Sequence, residues 1–224
     1  VSHEDAKVPR PNVLFVHGLW MNGLETLWLR HRVEGHGFQA HPFSYPSLHA
    51  TVEEVVDRLD AAIAGLEPPV HLVGHSLGGL MLLRLFDLRP QQPPGRVVLL
   101  GSPVSGSTAA RSVARWTVGP AIIGRIALEE IVAAPPRRWI QPRELGVVAG
   151  TVSAGLGRLV TNLPQPNDGT VTLLETQLEG MSDHVALPTT HTGMLFSGSV
   201  AEEIASFLNN GRFLASGRPP TAFP

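Results

Sequence analysis

A short, mainly apolar run, Val70 to Val73, leads directly into Gly74-His75-Ser76-Leu77-Gly78-Gly79, and a largely apolar stretch, Leu80 to Leu88, leads directly out. The first run has the length of a strand buried on both faces, and the second reads as a helix buried on most sides. A chain that changes from strand to helix within so few residues must bend sharply, and the flanking glycines leave room for that bend. The bend raises the Ser76 hydroxyl above the end of the sheet. The first turn of the helix then directs its free N–H groups toward any negative charge that develops there. His75 sits on the same tight turn, so its ring is expected to point away from Ser76.

The rest of the chain repeats the alternation of strand and helix. Val13–Val16 is wholly apolar and ends in His17-Gly18; a loop through Trp20, Met21 and Asn22 and a helical pattern near Glu25–Gly35 follow. Phe38–Tyr45 reads as a strand, and Pro42 places it near a sheet edge. Thr51 and Glu54 form a capping box, after which Val52, Val55, Val56, Leu59, Ile63 and Leu66 keep helical spacing until Pro68-Pro69. Further strands are expected at Arg96–Leu100, Leu145–Val152 and His184–Leu187, with short helices and loops over 104–143. Ser199 and Glu202 read as a second capping box, opening a terminal helix with Val200, Ile204, Phe207 and Leu208 on its apolar face. Residues 1–11 read as an extended lead-in, and the tail after Gly211 as a loose end. The expectation is an α/β fold with a mostly parallel central sheet and helices on both faces.

Composition narrows what such a fold can serve. The 224 residues suit one domain over 1–224, and 43% hydrophobic against 16% charged residues argues for a compact core. Seventeen Lys and Arg against 19 Asp and Glu, net −2, give no electrostatic case for a nucleic-acid partner. The absence of Cys excludes disulfides, thiolate metal sites and a cysteine nucleophile. No His-Glu-x-x-His spacing is present, so neither a metal nor a cofactor is expected. No apolar run approaches the roughly 18 residues that span a bilayer. Val-Ser-His-Glu-Asp at the start lacks a signal-peptide pattern, so the cytoplasm is the expected compartment, with secretion after loss of a leader as the alternative.

The chain resembles the α/β-hydrolase superfamily, and within it the small bacterial lipases and esterases. The resemblance is carried by His17-Gly18-Leu19-Trp20 after the first clear strand, the Gly74–Gly79 turn, Asp168-Gly169 and His191-Thr192-Gly193. Serine, acid and histidine come in the family's order. The resemblance implies Ser76 as nucleophile, His191 as base and Asp168 as acid. It also implies an oxyanion hole made by the backbone N–H groups of Leu19 and Leu77. His184 and Asp183 are the competing base and acid; both border the last expected strand, where a structural role is favoured. His17 is expected to hold the shape of the oxyanion loop. Trp20 reads equally as the lining of an acyl or alcohol pocket and as core packing.

Acyl transfer from an ester to water is the reaction the resemblance implies, on a small-molecule or lipid-like ester. An acyltransferase with the same triad and a non-catalytic binding protein on the same fold are the alternatives. Residues 104–143 occupy the place where the superfamily inserts substrate-covering elements, and read either as an acyl-binding wall or as a core helix. Ser102-Pro103 with Ser105-Gly106-Ser107 resembles the lipase pattern after the corresponding strand, with Val104 where many lipases carry His.

Overall fold

A computed structural model of the chain describes residues 10–133, 137–155 and 161–215. Most of the lead-in and of the loose end, together with Pro135 and Pro136, lies outside them. Six strands form one sheet: β1 Asn12–Val16, β2 Gln39–Phe43, β3 Val70–His75, β4 Val97–Leu100, β5 Leu145–Gly150 and β6 Asp183–Leu187. Their order is β2-β1-β3-β4-β5-β6 and every pairing is parallel, where a mostly parallel sheet was expected. β2 lies at an edge, the place Pro42 tolerates.

The strands carry near-continuous apolar runs because both faces of the sheet are covered. Alternate side chains divide between two cores. Leu14, Val16, Leu72, Leu99 and Val147 pack on one face with α2 (Val52–Ala64) and α3 (Leu77–Leu88). Val13, Phe15, Val73, Leu100 and Val148 pack on the other with α1 (Leu27–Glu34) and the C-terminal helix, Gly198–Asn210. The expected capping box at the start of α2 is formed: Glu54 N–H donates to Thr51 Oγ1 (3.2 Å), and Thr51 N–H donates to Glu54 Oε2 (2.8 Å).

The stretch expected as short helices and loops contains α4 (Thr108–Ala114), α5 (Gly119–Ala127) and a π-helical turn, Leu128–Val132. The C-terminal helix, α6, corrects one expectation. Its cap is Ser197, which has extended backbone and accepts from Val200 N (3.4 Å); Ser199 already lies inside the helix. The residue three after Ser197 is Val200, so no carboxylate returns the bond and no capping box forms there.

Candidate active site

Ser76 closes β3 and caps α3 with φ 53 and ψ −120, a left-handed backbone that a non-glycine residue rarely adopts. Its N–H donates to Leu100 O at the end of β4 (2.8 Å). The bend is possible because strand, helix and the neighbouring strand meet without side chains between them. A Cβ on Gly74 would lie 2.5 Å from Gly79 Cα, and one on Gly78 would lie 2.3 Å from Val16 O. The second contact presses the start of α3 against the end of β1, which brings the 17–20 loop beside Leu77. Leu77 is fully buried as the first residue of α3, where helical N–H groups have no intrahelical partner.

The sequence places Asp168 and His191 in separate loops, and the structure pairs them. His191 Nδ1 donates to Asp168 Oδ2 (2.7 Å), and His191 N–H donates to Asp168 O (2.9 Å). The other carboxylate oxygen, Oδ1, accepts from Thr170 N (2.9 Å) and Val171 N (2.7 Å). Asn167 Oδ1 tightens the same turn by accepting from Gly169 N (2.9 Å). Asp168 is 1% exposed and His191 9% exposed, so the pair is shielded without being sealed. The pair closes over Gly101, the residue after Ser76's backbone partner: a Cβ on Gly101 would lie 3.1 Å from both Asp168 Oδ2 and His191 Nδ1.

Asp183 and His184 lie at the opposite end of the sheet, at the start of β6. Asp183 accepts from His184 N (2.8 Å) and from Phe213 N (2.8 Å), and His184 Nε2 meets Thr176 Oγ1 (3.2 Å). The structure brings neither of them to Ser76.

Two other histidines hold the site from below. The His17 ring stacks on Tyr45 (4.5 Å between centroids, 13° between planes), and Nε2 accepts from Tyr45 N (3.2 Å). Nδ1 therefore carries the proton and donates to Gly18 O (2.8 Å). Burial lowers the His17 pKa, which keeps the ring neutral, and the two backbone partners select this tautomer. His75 Nε2 donates to His191 O (3.0 Å), with the two rings 4.8 Å apart. Burial, reinforced by the charge His191 can carry, holds the His75 pKa down to about 3. A neutral His75 thus supports the loop that carries His191. No local pattern in the sequence signals this role, because the partners are 116 residues apart.

Trp20 is not core packing; it is 53% exposed. Its φ is 61, and it and Ser76 are the two non-glycine residues of positive φ among the described residues. Such backbones cost of order 1–3 kcal/mol each and persist only where the surroundings hold them. Trp20 N–H donates to Ser47 Oγ (3.2 Å), and the indole Nε1–H donates to Ile122 O in α5 (2.8 Å). The 104–143 stretch is tied down elsewhere as well. Buried Glu175 accepts from Thr108 N (2.6 Å) and Oγ1 (2.8 Å) at the start of α4. Buried Glu130, on the π-helical turn, pairs with Arg137 and with Arg84 Nε of α3 (3.2 Å). Exposed apolar side chains, among them Trp116, Val118, Leu174 and Phe196, lie on segments that follow the carboxyl ends of β4, β5 and β6.

A parallel sheet wrapped by helices, with a strained serine turn at the end of β3 and a buried aspartate–histidine pair over the end of β4, defines a hydrolase-like class of protein. The family comparison agrees: residues 13–203 match the model of the alpha/beta hydrolase family, and the chain belongs to that family. Among solved structures, the mature lipase of Bacillus licheniformis superposes with a TM-score of 0.69 at 17% identity, covering 95% of this chain and 96% of that one. A thioesterase of the prodiginine pathway in Streptomyces coelicolor gives 0.54 at 14% identity, covering 88% and 84%. A pyrethroid hydrolase from Sphingobium faniae gives 0.55 at 14% identity, covering 89% and 98%. These likenesses are of fold. No curated protein sequence matches the chain. Among the described residues, no helix is long and apolar enough to cross a membrane.

Proposed function

We propose that the protein is a serine-dependent carboxylic ester hydrolase, with the chain acting as one catalytic domain. The observation that carries this reading is the 2.7 Å bond between His191 Nδ1 and Asp168 Oδ2, closed over Gly101, the residue that follows the backbone partner of Ser76. A carboxylate on Nδ1 fixes the tautomer that leaves the lone pair on Nε2, the form a base requires. In the proposed reaction, Ser76 Oγ attacks the ester carbonyl carbon while His191 Nε2 takes its proton. The oxyanion is held by the N–H groups of Leu19 and Leu77. Collapse of the tetrahedral intermediate breaks the C–O bond to the alcohol, which leaves with the proton from His191. Water, deprotonated by His191, then repeats the attack on the acyl-enzyme and releases the acid and Ser76. Asp168 holds His191 in place and stabilises the imidazolium that forms.

The exposed apolar side chains on the segments that follow β4, β5 and β6 favour an acyl group of apolar character, so lipid-like or short-to-medium acyl esters are the proposed substrates. α4, α5 and the π-helical turn form the wall over the acyl group in this reading. Hydrolysis of p-nitrophenyl esters from acetate to palmitate, with Ser76→Ala in parallel, tests it. Turnover is expected in the wild type, with a loss of about 10⁴-fold or more in the variant. Equal rates in both would overturn the serine mechanism.

A further inference from the structure

We infer that Trp20 is a positioning residue for the oxyanion hole, acting through the backbone of Leu19; the inference rests on the ester-hydrolase reading above. Ser76 and Trp20, the described chain's two left-handed non-glycine residues, are the sequence neighbours of the two proposed oxyanion donors. Ser76 precedes Leu77, and Trp20 follows Leu19. Nucleophile geometry accounts for the first strained backbone. It does not account for the second, which sits on a large aromatic residue whose ring is half exposed and so gains little from burial.

What holds Trp20 is a clasp of three segments that are remote in sequence. Its N–H is bonded to buried Ser47 (3.2 Å) and its indole N–H to Ile122 O (2.8 Å). Two residues beyond Ile122, α5 breaks at Gly124 (φ 75, ψ 170), and a Cβ there would lie 2.8 Å from Leu48 Cα, the residue after Ser47. The loop after β1, the loop after β2 and the proposed acyl wall thus close on one another at Trp20. The bond from Trp20 N–H fixes the peptide plane between Leu19 and Trp20, the indole bond fixes the side chain, and together they hold the direction of the Leu19 backbone that leads into Trp20. Oxyanion stabilisation depends on donors held in place before charge develops, so a clasp on the donor's loop acts on the transition state and not on the bound ester. The indole N–H and the φ of 61 are the sensitive parts; the ring's area is not.

Steady-state kinetics on p-nitrophenyl butyrate test this with Trp20→Phe, which keeps an aromatic ring while removing the N–H donor together with part of the indole's bulk. The expected result is a kcat lower by about 10- to 100-fold, short of the loss from deleting a whole oxyanion donor. KM should stay within threefold, and the pH midpoint of kcat/KM should not move, because the base is untouched. Ser47→Ala, which releases the Trp20 N–H, is expected to lower kcat in the same way by a smaller factor. Unchanged kcat in both variants overturns the proposal. So does a rise in KM at constant kcat, which would make Trp20 a pocket wall, or a shift of the pH midpoint, which would place the effect on His191. Ser76→Ala measured alongside separates the two levels: activity that survives in that variant sinks the ester-hydrolase reading itself, whereas Ser76-dependent activity indifferent to Trp20 sinks only the clasp.

Discussion

The two ends of the sheet make the instructive comparison. At the amino edge, charged side chains are spent on backbone. Arg96 donates to Leu208 O (2.8 Å) and Asn209 O (3.2 Å) at the end of α6 and pairs with Glu144, while Asp183 accepts two backbone N–H groups. A cavity of ≈ 710 Å³ opens there, lined by Arg96, Arg143 and His71 among several prolines. At the carboxyl edge, one aspartate gives one oxygen to its own turn and the other to a histidine of a different loop. That histidine keeps one ring nitrogen for other work. A cavity and its charged lining thus lie at the end that holds the fold together, whereas a histidine with one ring nitrogen left over, on a loop bonded to the neighbour of a strained serine, marks the end proposed for chemistry. β3 repeats the contrast within one strand: His71 at its start accepts from Arg96 N (3.0 Å), and His75 at its end supports the loop of His191.

The comparison breaks first if the wrong histidine matters. His191→Ala is expected to lower kcat/KM on a p-nitrophenyl ester by about 10⁴-fold or more, and His184→Ala by less than about threefold. The reverse ranking would move the base to the amino edge. Asp168→Asn should follow with a loss of about 10³- to 10⁴-fold, since the amide no longer holds His191 in the required tautomer. Asp183→Asn is expected to leave kcat nearly intact while lowering the melting temperature by a few degrees, through weaker acceptance from Phe213 N. Circular dichroism melts beside the kinetics separate the two effects.

The smallest effect sharpens the contrast within β3. Burial holds the His71 pKa down to about 4, with the charges of Arg96 and Arg143 adding to it, and the His75 pKa down to about 3. Both rings are neutral in the folded chain, whereas the unfolded chain takes up protons near pH 6.5. Below that pH the unfolded state binds more protons, so stability falls on acidification and keeps falling until the folded-state values are reached. The slope is up to about 1.4 kcal/mol per pH unit for each group. Urea unfolding between pH 7 and 4.5 should show this loss. His71→Asn and His75→Gln should each make it shallower, the first with activity retained and the second with kcat reduced. An unflattened curve in both would assign the acid sensitivity elsewhere.

How much of this was legible depended on the range of the interactions. The sharp turn at Ser76 and the capping box at Thr51 lie within a few residues, so type and spacing announced them. Asp168 and His191 are proposed from chain order, a property of the resemblance; their 2.7 Å bond joins loops that no periodicity connects. The cap of α6 was misplaced by two residues because Ser197-Gly198-Ser199 offers two hydroxyls. The Ser-x-x-Glu pattern selected the second, while backbone conformation selected the first. The support from His75 and the bond from Trp20 to Ile122 were invisible for a plainer reason. Each is a contact between a side chain and a distant carbonyl, and every residue has a carbonyl.

The strand order holds one more consequence. From β1 the chain turns outward to β2 through α1 on one face of the sheet, and from β3 it turns the other way to β4 through α3 on the opposite face. The connections leaving β1 and β3 therefore part company, and the point where the winding reverses is where sheets of this kind form a ligand crevice. Leu19 stands on one bank and Leu77 on the other. A receptor made by topology owes nothing to the Ser76 hydroxyl, so Ser76→Ala should leave it whole: the variant made to abolish turnover is also the form in which an intact ester can be caught and seen.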